Sequence, residues 1–207
     1  MKKNLKWIVV GCLLIGLVTF ITLIKGNNIS GFDKAVYELV THRTSPVIDK
    51  VFEIFTFFGS TVWMIALGIL VLIFVKDKKK AMVIVWCLII AIGLNYGLKL
   101  AVHRARPAEP EYRVLAIETS PSFPSGHTTA AVSTYGIMVF LIMKSKLQKN
   151  KKRLYSAGLI SLIILVGISR IYLAAHFASD VLGAMCAATS VLIIYSHIVW
   201  NAILKKS

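Results

Sequence analysis

Three stretches of this chain carry residues able to do chemistry on an anion. In KLAVHRARP (Lys99 to Pro107) the cations Lys99 and Arg106 stand seven residues apart. A helix continuing past Leu98 would project both from one face, about 10 Å apart along its axis, with Pro107 ending it. Taken alone, the two cations could equally snorkel to outer headgroups. In SFPSGHTTAA (Ser122 to Ala131), Ser125 is a good helix N-cap, and Gly126 leaves the backbone open to a ligand. Free N–H groups at such an end, reinforced by the helix dipole, form an anion site. His127 would stand beside it in the first turn, placed to donate a proton, although one Ser-Gly-His at a helix start specifies little by itself. In SRIYLAAHFASD (Ser169 to Asp180), His176 and Asp180 are four residues apart and Arg170 adds a cation. On a helix, the carboxylate can accept a hydrogen bond from one imidazole nitrogen and leave the other free for attack. The same pair could ligate a metal, but no further ligands stand at suitable spacing and three cations would repel one. Neither a metal nor another cofactor is expected.

The elements that must position these residues are membrane helices. The chain has 207 residues, 57% of them hydrophobic, a mean hydropathy of +0.76, and apolar runs separated by short charged clusters. That pattern means membrane. Six segments approach the roughly 20 residues needed to cross a hydrocarbon core: Trp7 to Ile24, Ile54 to Val75, Ala81 to Leu98, Thr128 to Met143, Tyr155 to Leu173 and Val181 to Leu204. The expected fold is therefore all-α and polytopic, one domain over residues 1–207 with six transmembrane helices. The first segment follows Lys2, Lys3 and Lys6 as a secretory signal would, but five further spans and no small-x-small cleavage pattern favour an uncleaved anchor. SGFDKAVYELVT (Ser30 to Thr41) reads as a short amphipathic helix on the outer interface. Ser30 and Asp33 stand at capping-box spacing, and Phe32, Val36, Leu39 and Val40 share a face. Its simplest role is structural, with substrate gating as the alternative.

Charge sets the orientation. With both termini cytoplasmic, 15 of the 24 Lys and Arg lie inside, and only Asp77 of the nine acids does. The net charge of +15 thus reflects cytoplasmic loops such as KSKLQKNKKR (Lys144 to Arg153) beside anionic headgroups, and no nucleic-acid partner is expected. All three stretches then fall on the extracytoplasmic side of the cell membrane. Cys12, Cys87 and Cys186 sit in apolar runs without CxxC spacing and read as packing residues. Trp7, Trp86 and Trp200 suit an inner interfacial belt, whereas Trp63 has no such place. His42 and His197 read as structural, and His103 as a surface or structural residue or else a neighbour of the site.

The motifs Lys99-x6-Arg106-Pro107, Pro124-Ser125-Gly126-His127 and Ser169-Arg170-x5-His176-x3-Asp180 resemble, in order and without substitution, the three signatures of the type 2 phosphatidic acid phosphatase superfamily. The resemblance implies a metal-independent phosphatase with a phosphohistidine intermediate. His176 would be the nucleophile, Asp180 its orienting partner and His127 the acid for the leaving oxygen. Lys99, Arg106, Arg170 and the N–H groups of Ser125 and Gly126 would hold the phosphoryl oxygens. Soluble vanadium haloperoxidases share these motifs, and the membrane frame points instead to a lipid phosphate. Of two substrates, phosphatidylglycerophosphate is preferred to undecaprenyl diphosphate. The outer segment Ala108 to Pro121 sets one cation, Arg113, against Glu109, Glu111 and Glu118, and so does not welcome a second phosphate. A non-catalytic lipid phosphate binder or transporter is the alternative of another class. It lacks the expected internal repeat and gives the His176 and Asp180 pair no use. Oligomeric state is not legible.

Overall fold

The computed structural model describes residues 2–204. Eight α-helices follow one another: α1 (Lys2–Lys25), α2 (Ser30–Val40), α3 (Pro46–Phe57), α4 (Thr61–Phe74), α5 (Lys78–Val102), α6 (Gly126–Lys144), α7 (Lys149–Tyr172) and α8 (Ala178–Val199). The last continues as a π-helical turn over Trp200–Leu204. Helices α1, α5, α6, α7 and α8 with its extension are each long and apolar enough to cross a membrane, and α3 with α4 reach that standard as a pair. The architecture is the expected all-helical, multi-span one.

The second span departs from expectation. Instead of one helix over Ile54 to Val75, the chain enters a helix at Pro46 and breaks after Phe57, and the two halves meet at 46°. Polar caps inside the apolar run explain this. Ser45 accepts from the Ile48 N–H at 3.2 Å, with Pro46 pre-set for the first helical position. Ser60 caps α4 by accepting from the Trp63 N–H at 3.2 Å. Gly59 lies in the break, where an added Cβ would come within 2.7 Å of Val166 Cγ1 and 3.0 Å of His127 Cβ. Trp63 braces the bend: its Nε1 donates to the Tyr135 hydroxyl at 2.7 Å, which donates on to the Phe58 carbonyl at 2.7 Å.

Helix α2 is present but is not capped as its spacing suggests. Ile29 precedes it without a side-chain cap bond, and Asp33 is buried. Val36 and Val40 pack on Ile171, Ala178 and Val181, whereas Phe32 and Leu39 of the expected face are exposed.

Helix α6 is the hub, packing on α5, α7 and α8, while α1 lies on α8 and α3 on α7. Its buried N-terminal half runs Thr128-Thr129-Ala130-Ala131-Val132-Ser133-Thr134-Tyr135. Lipid tails are as apolar as leucine, so such small and hydroxyl residues favour helix association by close backbone approach and hydrogen bonding. Asn95 of α5, donating to Thr129 Oγ1 at 2.8 Å, is one such link. Large apolar side chains such as Leu14, Ile15, Val18, Phe74 and Ile160 face outward, as a lipid surround requires.

Candidate active site

Each motif sits at a helix end, and each end has its own device. Helix α5 stops at Val102, short of Pro107. His103 takes a left-handed conformation (φ 50°, ψ 42°) and its N–H bonds the Lys99 carbonyl at 2.9 Å. Lys99 and Arg106 therefore do not share a helix face. The returning loop brings them together at Ser120, whose Oγ lies 3.4 Å from Lys99 Nζ and 3.1 Å from Arg106 Nη2, while Arg106 Nε donates to the Ser120 carbonyl at 2.7 Å. His103 is thus a turn residue, lining two cavities beside the α5–α6 connection.

Helix α6 begins as the sequence suggests. Ser125 is its N-cap, accepting from the Thr128 N–H at 3.4 Å, and His127 stands in the first turn. Phe123, fully buried just upstream, is seated over Gly183, where any side chain would overlap its ring.

The third stretch is not one helix. Helix α7 ends at Tyr172 and Ala174 adopts φ 50°. The N–H groups of Ala175 and His176 both turn back to the Arg170 carbonyl, at 3.1 and 3.2 Å. His176 therefore lies in a reversal, with Asp180 in the first turn of α8, accepting from the Phe177 N–H at 2.9 Å. The pair still meets. Asp180 Oδ2 is 3.5 Å from His176 Nδ1, an ion-pair distance rather than a short hydrogen bond. Ser122 Oγ bridges the gap, 2.5 Å from that oxygen and 3.4 Å from Nδ1. On its other side, His176 Nε2 is 3.2 Å from Arg106 Nη1. Burial pushes His176 down to about 4 against the opposing pull of Asp180, so the imidazole is neutral at pH 7.

Lys99, Arg106 and Arg170 thus face one space, with His127 and His176 at its edges. Arg170 is 2% exposed; its Nη1 donates to Thr56 Oγ1 of α3 at 2.6 Å, and its buried Nε has no partner among the described residues. Glu118 fills the centre. Its Oε2 accepts from Arg106 Nη2 at 2.8 Å, its Oε1 accepts from Arg170, and His127 Nδ1 lies 3.8 Å away. Burial works to raise the Glu118 carboxyl, but Arg170, His176, Arg106 and His127 outweigh it and hold the group below the usual range. The site is therefore a cation cradle already gripping an oxyanion.

The sequence marked Glu118 only as a loop acid and Asp33 only as a capping residue of α2, and gave no role to Ser122, Thr56 or Arg104. Arg104 alone carried a signal, lying two residues from Arg106. From His127, Lys99 and Glu118 an apolar cavity of about 520 Å³ runs between α4 and α5, past Met64, Ile65, Leu72, Ile84, Leu88 and Ile92.

Residues 80–204 match the family model of the PAP2 superfamily. The chain belongs to this superfamily. Among PAP2 proteins it is 31% identical over 166 residues to phosphatidylglycerophosphatase B of Bacillus subtilis, covering 77% of this chain and 79% of the relative. It is 28% identical over 185 residues to an undecaprenyl-diphosphatase of Sulfolobus acidocaldarius, covering 88% and 85%. The fold matches the crystal structure of a transmembrane PAP2 type phosphatidylglycerolphosphate phosphatase from Bacillus subtilis with a TM-score of 0.84 at 23% identity, over 93% of this chain and 96% of that one. This PAP2 protein is accordingly a multi-span membrane phosphatase.

Proposed function

We propose that the chain dephosphorylates phosphatidylglycerophosphate on the outer side of the membrane through a phosphohistidine on His176. The observation that carries this reading is the junction of an apolar cavity with a cation cradle walled by His127 on one side and His176 on the other. A lipid tail in the cavity sets its phosphate among Lys99, Arg106 and Arg170. The leaving oxygen then lies toward His127 and the phosphorus toward His176.

His176 Nε2 attacks phosphorus while the bond to the lipid oxygen breaks and His127 gives that oxygen its proton. The Nδ1–H faces Asp180, which favours the imidazole once it carries the phosphoryl group. Water then attacks the phosphohistidine, His127 takes the proton, and the N–P bond breaks to release phosphate. Charge on the equatorial oxygens is met by the three cations and by the Gly126 N–H at the start of α6, whereas the Ser125 N–H, also expected to hold phosphate, already donates to the Asp180 carbonyl at 3.2 Å; Arg170 Nε supplies a donor with no other partner among the described residues. Lys99, Arg106 and Arg170 take the charge-neutralising part that a metal would otherwise play, so the reading invokes none. The cytoplasmic excess of Lys and Arg supports an outward-facing site with both termini inside.

Substrate choice rests on Glu118. With a carboxylate already in the cradle, a monoester needs one anion displaced, whereas a diphosphate brings a second phosphate, and Arg104, which lines the adjoining cavity, is already paired with Asp33 and Asp180. The likeness to an undecaprenyl-diphosphatase makes that lipid the comparison to run. Purified protein in EDTA, offered each lipid in mixed micelles, should release phosphate with the higher kcat/KM on phosphatidylglycerophosphate. A ratio tenfold or more in favour of undecaprenyl diphosphate overturns the substrate, and no release from either overturns the catalytic reading in favour of a binder.

A further inference from the structure

Behind His176 lies a hydrogen-bonded chain that the catalytic scheme above does not use. Arg104 Nη1 donates to Asp180 Oδ1 and to Ser179 Oγ, each at 2.7 Å, and its Nη2 donates to Asp33 Oδ2 at 2.6 Å. Asp33 also accepts from the Ser179 N–H and hydroxyl, both at 2.8 Å. The side chains of Asp33 and Asp180 are wholly buried and that of Arg104 is 13% exposed, with its guanidinium 4.1 Å over the Phe177 ring. The Arg104 carbonyl accepts from the Ser122 N–H at 2.8 Å, and Ser122 is the residue that bridges Asp180 and His176. Helix α2, the α5–α6 connection and the start of α8 thus converge on one carboxylate.

Two buried anions sharing one cation is an expensive way to dock α2. Apolar packing of similar volume often serves stability as well or better. What the arrangement does supply is direction. Arg104 holds Asp180 by Oδ1, which leaves Oδ2 toward His176 Nδ1. We propose that Asp33 and Arg104 are positioning residues for the nucleophile: acting through Asp180, they fix the His176 imidazole with Nε2 turned to the cradle. Without Arg104, Asp33 and Asp180 are left as neighbouring buried anions, and Asp180 turns away or takes up a proton. Without the Asp33 charge, Arg104 loses the anchor that sets its angle. This inference rests on His176 being the nucleophile, as proposed above.

The test is steady-state hydrolysis of a phosphate monoester by the purified full chain, with inorganic phosphate inhibition as an independent gauge of the cradle and thermal melting as a gauge of folding. Asp33→Asn and Arg104→Ala should each lower kcat by about 10- to 100-fold while KM and the phosphate Ki stay within about twofold, because an orienting interaction is lost and a binding one is not. Combined, they should cost no more than the worse single change, as members of one unit do. Arg104 lines two outer cavities, so millimolar guanidinium should restore part of the Arg104→Ala activity. It should do nothing for His176→Ala. Ser179→Ala and Arg104→Lys, which keep every charge, should show smaller kcat losses and carry the test if a harsher variant does not fold. Wild-type kcat in folded variants overturns the proposal. So does a loss that appears equally in the phosphate Ki, or one that tracks melting temperature and is not rescued by guanidinium. Full activity in His176→Ala would instead fault the nucleophile assignment on which the inference rests.

Discussion

At the scale of single residues, the cradle binds an anion of the protein's own, and that sets what substitution there should do. Glu118 shares its two oxygens between Arg106 and Arg170, so it competes with any incoming phosphoryl group. Replacing it by Gln removes the competing charge while keeping the shape. Inorganic phosphate should then inhibit about tenfold more tightly, because a cradle no longer occupied costs less to enter. An unchanged Ki would show that Glu118 leaves the site without cost. His176 sets a second expectation. Burial depresses it to about 4 from 6.5, and in its proposed role as nucleophile it must be neutral, so activity is retained as pH falls through 6.5 and lost only as it approaches 4. The acid limb of kcat/KM, which reports the free enzyme, should accordingly lie well below that of a solvated histidine. An acid limb centred near 6.5 would contradict the burial of this ring.

At the scale of elements, the bent α3–α4 pair couples the frame to the chemistry. Thr56 orients Arg170 from the end of α3, and Gly59 lets the break press against His127 and Val166. Gly59→Val cannot fit without shifting one of them. It should lower kcat by about tenfold or more, since small displacements of reacting groups are costly, with melting temperature falling alongside. Retained kcat would mean that the break yields instead. The reversal after α7 behaves oppositely. Ala174 carries a left-handed conformation that disfavours any Cβ, so Ala174→Gly should leave activity unchanged and stabilise the protein by up to about 1 kcal/mol. A drop in melting temperature would indicate that the methyl group packs to more effect than the strain costs.

At the scale of the whole molecule, the lysine-rich α4–α5 and α6–α7 connections lie at one end of the bundle and the cradle at the other. With Cys12, Cys87 and Cys186 replaced by Ala, Thr119→Cys in the exposed loop before α6 should react in intact cells with a membrane-impermeant maleimide. Leu147→Cys, in the connection between α6 and α7, should react only after permeabilisation. The reverse pattern would invert the orientation and move the reaction to the cytoplasmic leaflet.

The sequence by itself determined the all-helical, multi-span frame, and it set the expected sidedness and the expected chemistry of the three motifs. Hydropathy and the excess of Lys and Arg are sums over neighbouring residues measured against a bilayer of fixed thickness. The Ser125 cap and the first-turn place of His127 were legible for the same reason, since a cap is a contact between residues three apart. Only the tertiary structure decided where α5 ends, how a loop brings Arg106 to Lys99 through Ser120, and that the second span breaks at Gly59 against His127. It alone set Glu118 against Arg170, 52 residues away, and Asp33 against Arg104, 71 residues away. These are meetings of helix charges with charges carried by the α5–α6 connection. No local period or propensity encodes them, because a buried charge finds its partner only after the helices have packed.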